Sequence, residues 1–445
     1  MTSRIVSRII VALVAVVLVG ASALVGLSAT GVYPRTPTGT LDPSSYVAPP
    51  PAPQSPAPGL PAPDATAPVD ATAIKQGIDA LDRSALGTVS YCVTDLAGDQ
   101  VAGEDTSTDR TPASSWKLFT SLAVLSAYGA DHRFATTVVA SPTGVVLVGG
   151  GDPFLTAGRG FTSGQANAND LADQVAKALK AANRTRVTLG YDDSLFAGPQ
   201  WSPAWPADYG ADIAPISALS IDANGYASDD TSLDAATLFE GLLADRGITV
   251  TTVRVEHAAS GAATLGTVQS LPLGQIVQRV LEVSDNFGAE VLFRHVGVAG
   301  GGNGSFTSGQ VAETAFLKAH GLWATGMAVS DGSGLSLYDA VPSCILASAV
   351  RLAYDTPGLA DIVAGLPVAG VDGTLATRFS DPDEASGRGV VRAKTGTHDY
   401  VRTMTGLAQT SDGAILFFSF MLNNLTDHPA GINWIDEAAS VIASS

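Results

Sequence analysis

Positive charge is scarce in this 445-residue chain: 24 lysines and arginines stand against 42 aspartates and glutamates, a formal net charge of −18. That balance excludes a protein whose affinity rests on neutralising nucleic-acid phosphates. Lysine is rarer still, confined to Lys75, Lys117, Lys177, Lys180, Lys318 and Lys394. The histidines, His132, His257, His295, His320, His398 and His428, have no zinc-like spacing to one another or to cysteine. No catalytic metal and no cofactor is therefore expected, which argues against a zinc hydrolase. Gly149-Gly150-Gly151-Asp152-Pro153 is not followed by Gly-Lys-Ser/Thr, so it reads as a turn and not a phosphate cradle. Cysteine is limited to Cys92, in an alternating strand pattern, and Cys344, in an apolar helical stretch. One bridge and two separate buried thiols fit equally.

What is present begins with targeting information. Arg4 and Arg8 precede an uncharged apolar run from Ile9 to about Leu27. Such a run is long enough to span a bilayer, and the arginines before it keep the N-terminus inside and send the rest of the chain out. A cleaved signal peptide is the rival, because Ala21-Ser22-Ala23 and Leu27-Ser28-Ala29 resemble cleavage sites. No cysteine lies nearby, which excludes a bacterial lipoprotein anchor. Residues 34–71 are rich in Pro, Ala and Thr and carry no hydrophobic period, so they form a linker and not a core. Extended at about 3.1 Å per residue, they would reach on the order of 100 Å.

The remainder reads as a split α/β domain, 72–132 with 264–445, interrupted by an α/β insert at 133–263. A helix at 72–84 precedes a strand at 87–95, a hairpin turn at Leu96-Ala97-Gly98-Asp99, and a long apolar helix that starts near Ser114. In the insert, short strands such as 144–148 and 187–189 alternate with helices at 171–182 and 235–244. Helices return at 273–283 and 289–298. Strands at 390–397, 401–409 and 414–423 form a C-terminal antiparallel sheet, and a helix from about Gly431 closes the chain.

Two of the few lysines sit in chemically suggestive places. Lys117 is the one lysine with a serine three residues before it, in Ser114-Ser115-Trp116-Lys117. Residues three apart share a helix face, so Ser114 faces Lys117, and a lysine whose pKa is lowered by burial can act as a base. Ser284-Asp285-Asn286 lies between two helices, where both polar side chains can enter one cleft. Lys394-Thr395-Gly396 lies in a strand. A peptide can add along that strand's edge, with Gly396 leaving room for it and Lys394 and a Thr395 or Thr397 hydroxyl meeting a carboxylate. The backbone N–H groups of Ser114 and Thr397 would then form an oxyanion hole. Taken singly, these motifs are equally an N-cap serine, an Asx turn and an exposed edge lysine.

Taken together and in this order, the three motifs resemble those of the active-site-serine enzymes that penicillin acylates. The long interval between Lys117 and Ser284 is similar to the class C, low-molecular-mass penicillin-binding proteins, the D-alanyl-D-alanine carboxypeptidases/endopeptidases. The resemblance runs from about residue 74 to the end. It includes Gly150-Gly151-Asp152-Pro153, Trp205-Pro206-Ala207-Asp208, Asp331-Gly332-Ser333-Gly334-Leu335-Ser336 and Ala369-Gly370-Val371-Asp372-Gly373-Thr374-Leu375. It implies a serine β-lactamase/DD-peptidase-like fold, an antiparallel sheet packed with helices. It makes Ser114 the nucleophile, Lys117 its base, Ser284 and Asn286 the second motif, and Lys394, Thr395, Gly396 and Thr397 the carboxylate-binding strand. It places Asp208, with Trp205 beside it, against the free amine of a peptidoglycan stem peptide. Leu337 stands where relatives often carry an arginine for a stem-peptide carboxylate, and His398-Asp399 also departs from the common pattern. The partners implied are peptidoglycan stem peptides, β-lactams as covalent inhibitors, and the outer face of the membrane or the cell wall. A weakly active cell-wall or β-lactam binding protein, and a β-lactamase or esterase of the same fold, are the alternatives.

Overall fold

The computed structural model describes Asp64, residues 67–222 and residues 228–445. The apolar run at 9–27 and nearly all of the Pro-rich linker lie outside the described residues. Among the described residues no helix is long and apolar enough to cross a membrane.

In chain order the elements are α1 (Ala71–Asp79), β1 (Thr88–Thr94), β2 (Gln100–Glu104), α2 (Lys117–Tyr128), β3 (Ala135–Ala140), β4 (Gly144–Val148), α3 (Ala168–Ala181), β5 (Arg186–Asp192), α4 (Thr231–Asp245), β6 (Thr249–Val255) and β7 (Thr264–Gln269). There follow α5 (Leu273–Glu282), α6 (Asn286–Ala299), α7 (Phe306–Ala319), α8 (Ser343–Asp355), α9 (Ala360–Ala364), β8 (Val391–His398), β9 (Val401–Gln409), β10 (Ile415–Asn423) and α10 (His428–Ser444).

The first sheet has the order β2-β1-β10-β9-β8 and is antiparallel throughout. Strand β10 is buried at every position. Its even-numbered side chains Leu416, Phe418, Phe420 and Leu422 pack with α1 and α10. Ile415, Phe417 and Met421 on the opposite face pack with α2, α5 and α8. A strand covered on both faces reads as a continuous apolar run and not as an alternation. Helix α2 is buried from Lys117 through Leu125, because it is apolar all round and lies inside the helical layer. The disulfide Cys92–Cys344 ties β1 to α8 across 252 residues, which resolves the two thiols in favour of a bridge.

The second sheet has the order β6-β5-β4-β3-β7. Strands β4, β5 and β6 are parallel, and α3 and α4 provide the crossovers, burying their apolar faces against the sheet. The βαβαβ alternation of the sequence is this unit. Strand β3 is antiparallel to both of its neighbours, β4 and β7. Because β7 pairs with β3, the second sheet continues to Gln269, past the boundary expected at 263. The chain then enters α5 and returns to the first sheet's helical layer.

Candidate active site

Residues Ala113–Trp116 form a 3₁₀ turn that runs directly into α2. In this tighter helix residues i and i+3 eclipse, so Lys117 lies over Ser114, and its Nζ is 2.9 Å from Ser114 Oγ. Of residues 112–125, Ser114 is the one that is not buried. The turn is held from beneath by β9. Ser115 Oγ lies 2.8 Å from Thr403 Oγ1, which donates to the Pro112 carbonyl at 2.8 Å. Ala113 takes φ +46°, a conformation that costs a residue with a Cβ about 1–3 kcal/mol and tends to mark functional sites. Gly396 belongs to this support. A Cβ there would collide with Thr403 Oγ1 and the Pro112 carbonyl. Its missing side chain therefore lets β8 close on the Ser114 turn, a correction to the expectation that it leaves room for substrate.

Lys117 is fully buried, and its Nζ also meets Asn286 Oδ1 at 2.7 Å and the Ser333 carbonyl at 2.7 Å. Burial draws its pKa down to about 8, against the pull of Asp331, Glu290 and Asp285. An ammonium donates to all three acceptors. A neutral amine has two N–H bonds, which Asn286 and Ser333 can take, and its lone pair then points at the Ser114 hydroxyl. Asn286 opens α6, capped by Asp285, whose carboxylate accepts from Gly288 N. Ser284 stands just before, at φ +59°.

Lys394 is also fully buried. Its Nζ donates to Ser284 Oγ at 2.8 Å and to the Thr395 carbonyl at 2.6 Å. Burial, with Lys117 close by, pushes its pKa well below the usual lysine value. The expectation that Lys394 meets a carboxylate as a positive charge is qualified by this burial: among the described residues no acidic side chain contacts it to favour its ammonium form. Strand β8 is the sheet's edge. Its lower half is covered by the 367–369 segment, with Ala393 N donating to the Pro367 carbonyl. Alternation turns the N–H and C=O groups of Thr395 and Thr397 outward as well. The Thr395 hydroxyl is engaged by Thr374 Oγ1 at 2.8 Å, and Thr397 is exposed.

The segment after β5 crosses to this cleft. The Asp212 carbonyl accepts from Asn286 Nδ2 at 3.1 Å. Tyr209 Oη lies 3.0 Å from His398 Nε2, which also meets the Leu335 carbonyl at 3.0 Å. Asp208 is exposed, and its charge, with those of Asp399, Asp212 and Asp331, raises the Tyr209 pKa, burial being the larger cause. Trp205, expected beside Asp208 against a ligand, is buried. Its ring packs against Trp201 and Phe306, and its Nε1 donates to Asp331 Oδ2 at 2.7 Å. It therefore fixes the Asp331–Ser336 loop and is not offered to solvent. Leu337, just beyond that loop, is 53% exposed. The sequence reading missed Ser333, Glu290, Tyr209 and Asp212 as site residues. Ser333 and Asp212 act through backbone carbonyls, which leave no side-chain signature.

Among the described residues no cluster of His, Cys, Asp or Glu could hold a metal ion. Fold and site together define a class, the hydrolases in which a serine is paired with a buried lysine. The chain belongs to the D-Ala-D-Ala carboxypeptidase 3 (S13) family, whose profile matches residues 71–228 and 225–444. It is 34% identical over 377 residues to a carboxypeptidase of Mycobacterium tuberculosis, covering 80% of each chain. To the carboxypeptidase DacB of Mycolicibacterium smegmatis it is 32% identical over 386 residues, covering 82% of each. Its fold is similar to that of penicillin-binding protein 4 from Haemophilus influenzae, with a TM-score of 0.69 at 19% identity over 84% of this chain and 98% of the other.

Proposed function

We propose that this serine-type D-Ala-D-Ala carboxypeptidase works through an acyl-enzyme on Ser114, with Lys117 as its base. The observation that carries the reading is the 2.9 Å contact between Ser114 Oγ and a buried lysine whose pKa is about 8. Neutral Lys117 takes the Ser114 proton as Oγ attacks the penultimate D-Ala carbonyl. The N–H groups of Ser114 and Thr397 receive the oxyanion. The leaving amine of the terminal D-Ala takes its proton through the Ser284 hydroxyl, itself in contact with Lys394. The terminal carboxylate supplies a counter-charge to Lys394 and favours its ammonium form. The stem peptide adds along the free edge of β8, and its backbone replaces the Asp212 carbonyl at Asn286 Nδ2. A β-lactam enters the same path, its ring amide standing for the D-Ala-D-Ala bond. Water then releases the acyl group, and the same chemistry acts on crosslinks that end in a D-Ala linkage.

In this reading Asp208 faces a free amine of the stem peptide. Leu337 faces an uncharged part of it, since an aliphatic side chain cannot pair with a carboxylate. The enzyme acts outside the cytoplasm, on peptidoglycan. The apolar run at 9–27 would serve as its export signal or membrane anchor. Stem peptides ending in D-Ala-D-Ala should release D-Ala, the amidated form as readily as the free acid, and Ser114→Ala should release none. Release that persists in Ser114→Ala, or strong preference for the free acid, sinks the corresponding part of this reading.

A further inference from the structure

Behind the Ser–Lys pair lies a carboxyl that the reaction above does not use. Glu290, one turn along α6 from Asn286, is fully buried. Its Oε1 accepts from Gly332 N at 3.0 Å and Ser333 N at 2.7 Å. The Ser333 carbonyl is one of the two acceptors that fix the N–H bonds of Lys117. The neighbouring Gly332 carbonyl accepts from Thr120 Oγ1 at 2.9 Å, and that hydroxyl lies 3.1 Å from Glu313 Oε1. The Gly332–Ser333 stretch is thus gripped through its N–H groups by α6 and through a carbonyl by α2.

We propose that Glu290 is a positioning residue: it clamps the Ser333 peptide so that the Ser333 carbonyl, with Asn286, aims the Lys117 lone pair at Ser114. The proposal rests on the reading of Lys117 as base. Without the two Glu290 contacts the Ser333 N–H would keep only its longer contact to Asp331 Oδ1 at 3.2 Å, so the Ser333 peptide could tilt, its carbonyl would shift, and the Lys117 lone pair would be less well directed. A displacement of about 1 Å in such a group can cost about 10²-fold in rate.

The clamp needs an acceptor oxygen at the right reach, not a charge. Burial and the charge of Asp331 push the Glu290 carboxyl up to about 8, with the hydrogen bonds from Ser333 and Gly332 opposing. The other ionisable groups facing this site are Asp285 at the start of α6, Arg294 one turn beyond Glu290, Glu313 on α7, Asp331 and Asp339 on the loop, and Lys394 on β8. Of the carboxyls, Asp285, Glu313 and Asp339 are themselves raised by burial.

The test is a series at one position, read by penicillin acylation of the full chain with the non-covalent binding constant and the acylation rate constant resolved. Glu290→Gln keeps the oxygen in place and should acylate near the wild-type rate. Glu290→Asp keeps the acid but withdraws it by one methylene, and should be slower than Gln. Glu290→Leu should fall about 10²-fold in the rate constant, with the binding constant unchanged because Lys394 and β8 are untouched. Glutamine should also reach its plateau at lower pH, since it cannot ionise above about 8 and hold the proton on Lys117. A charge role would reverse the order of Asp and Gln, and that reversal overturns the proposal even if the leucine variant does not fold. Equal rates in Gln and Asp, or a loss confined to the binding constant, overturn it too. Lys117→Ala in parallel separates the two readings: normal acylation there rejects Lys117 as base, whatever the Glu290 series gives.

Discussion

Lys117 and Lys394 are equally buried, yet they have different neighbours. Lys117 has Asp331, Glu290 and Asp285 close enough to offset part of its burial, and it settles at about 8. Among the described residues Lys394 has hydroxyl and carbonyl contacts and the repulsion of Lys117. In the proposed mechanism the first serves as the base and the second meets the substrate carboxylate as a cation. The acylation rate constant should rise with pH and level off above about 8, as Lys117 gives up its proton, and Lys117→Ala should lose about 10²–10⁴-fold. A rate independent of pH between 6 and 9 would assign the base elsewhere. These side chains were legible in the sequence because the chain has so few lysines, one three residues after a serine and the other in Lys394-Thr395-Gly396. What the sequence could not convey was which face of β8 Gly396 occupies. Its reason for being glycine lies in the Pro112 carbonyl, nearly three hundred positions away.

At the level of elements, the reactive turn is held by long-range pairings. The 3₁₀ turn at Ala113–Trp116 rests on β9 through Thr403 and on β8 through Gly396. Strand β1 is joined to α8 by Cys92–Cys344. A crosslink that closes so long a loop restricts the unfolded chain strongly. Replacing both cysteines by alanine should cost about 2–5 kcal/mol in denaturant unfolding; an unchanged midpoint would mean that the bridge adds nothing. Periodicity exposed β4, β9 and β10 almost residue for residue, because each is bounded by turns and rich in β-branched or aromatic residues. It could not reveal that β7 belongs to the second sheet. Strand β7 pairs with β3, and pairing between strands so far apart in sequence leaves no local pattern.

At the level of the molecule, the cleft lies where the segment after β5 meets the first sheet and the 331–337 loop. The folded interior holds several buried acids. Burial raises Glu290 to about 8 and Asp152 to about 7, and it raises Glu313 and Asp339 well above the usual carboxylate range. An acid whose folded pKa exceeds its unfolded value near 4 stabilises most at low pH and loses that contribution as pH climbs through the folded value. His295, fully buried and lowered to about 4, acts in the opposite sense, but only below its unfolded value of about 6.5. Between pH 8 and 6.5 the raised carboxyls take up protons on folding and gain stability as pH falls, while the lowered lysines Lys117 and Lys394 give protons up on folding and oppose them. The share of Asp152 is isolated by Asp152→Asn: wild type should gain in thermal midpoint relative to the variant as pH falls from 8 to 6.5, and a difference that does not change with pH would contradict a raised Asp152.

The most direct test of the central claim is the site of acylation. After exposure of the full chain to a penicillin and proteolytic digestion, mass spectrometry should find one adduct, on the peptide that contains Ser114, and Ser114→Ala should show none. An adduct on another residue, or labelling that survives in Ser114→Ala, would contradict the account.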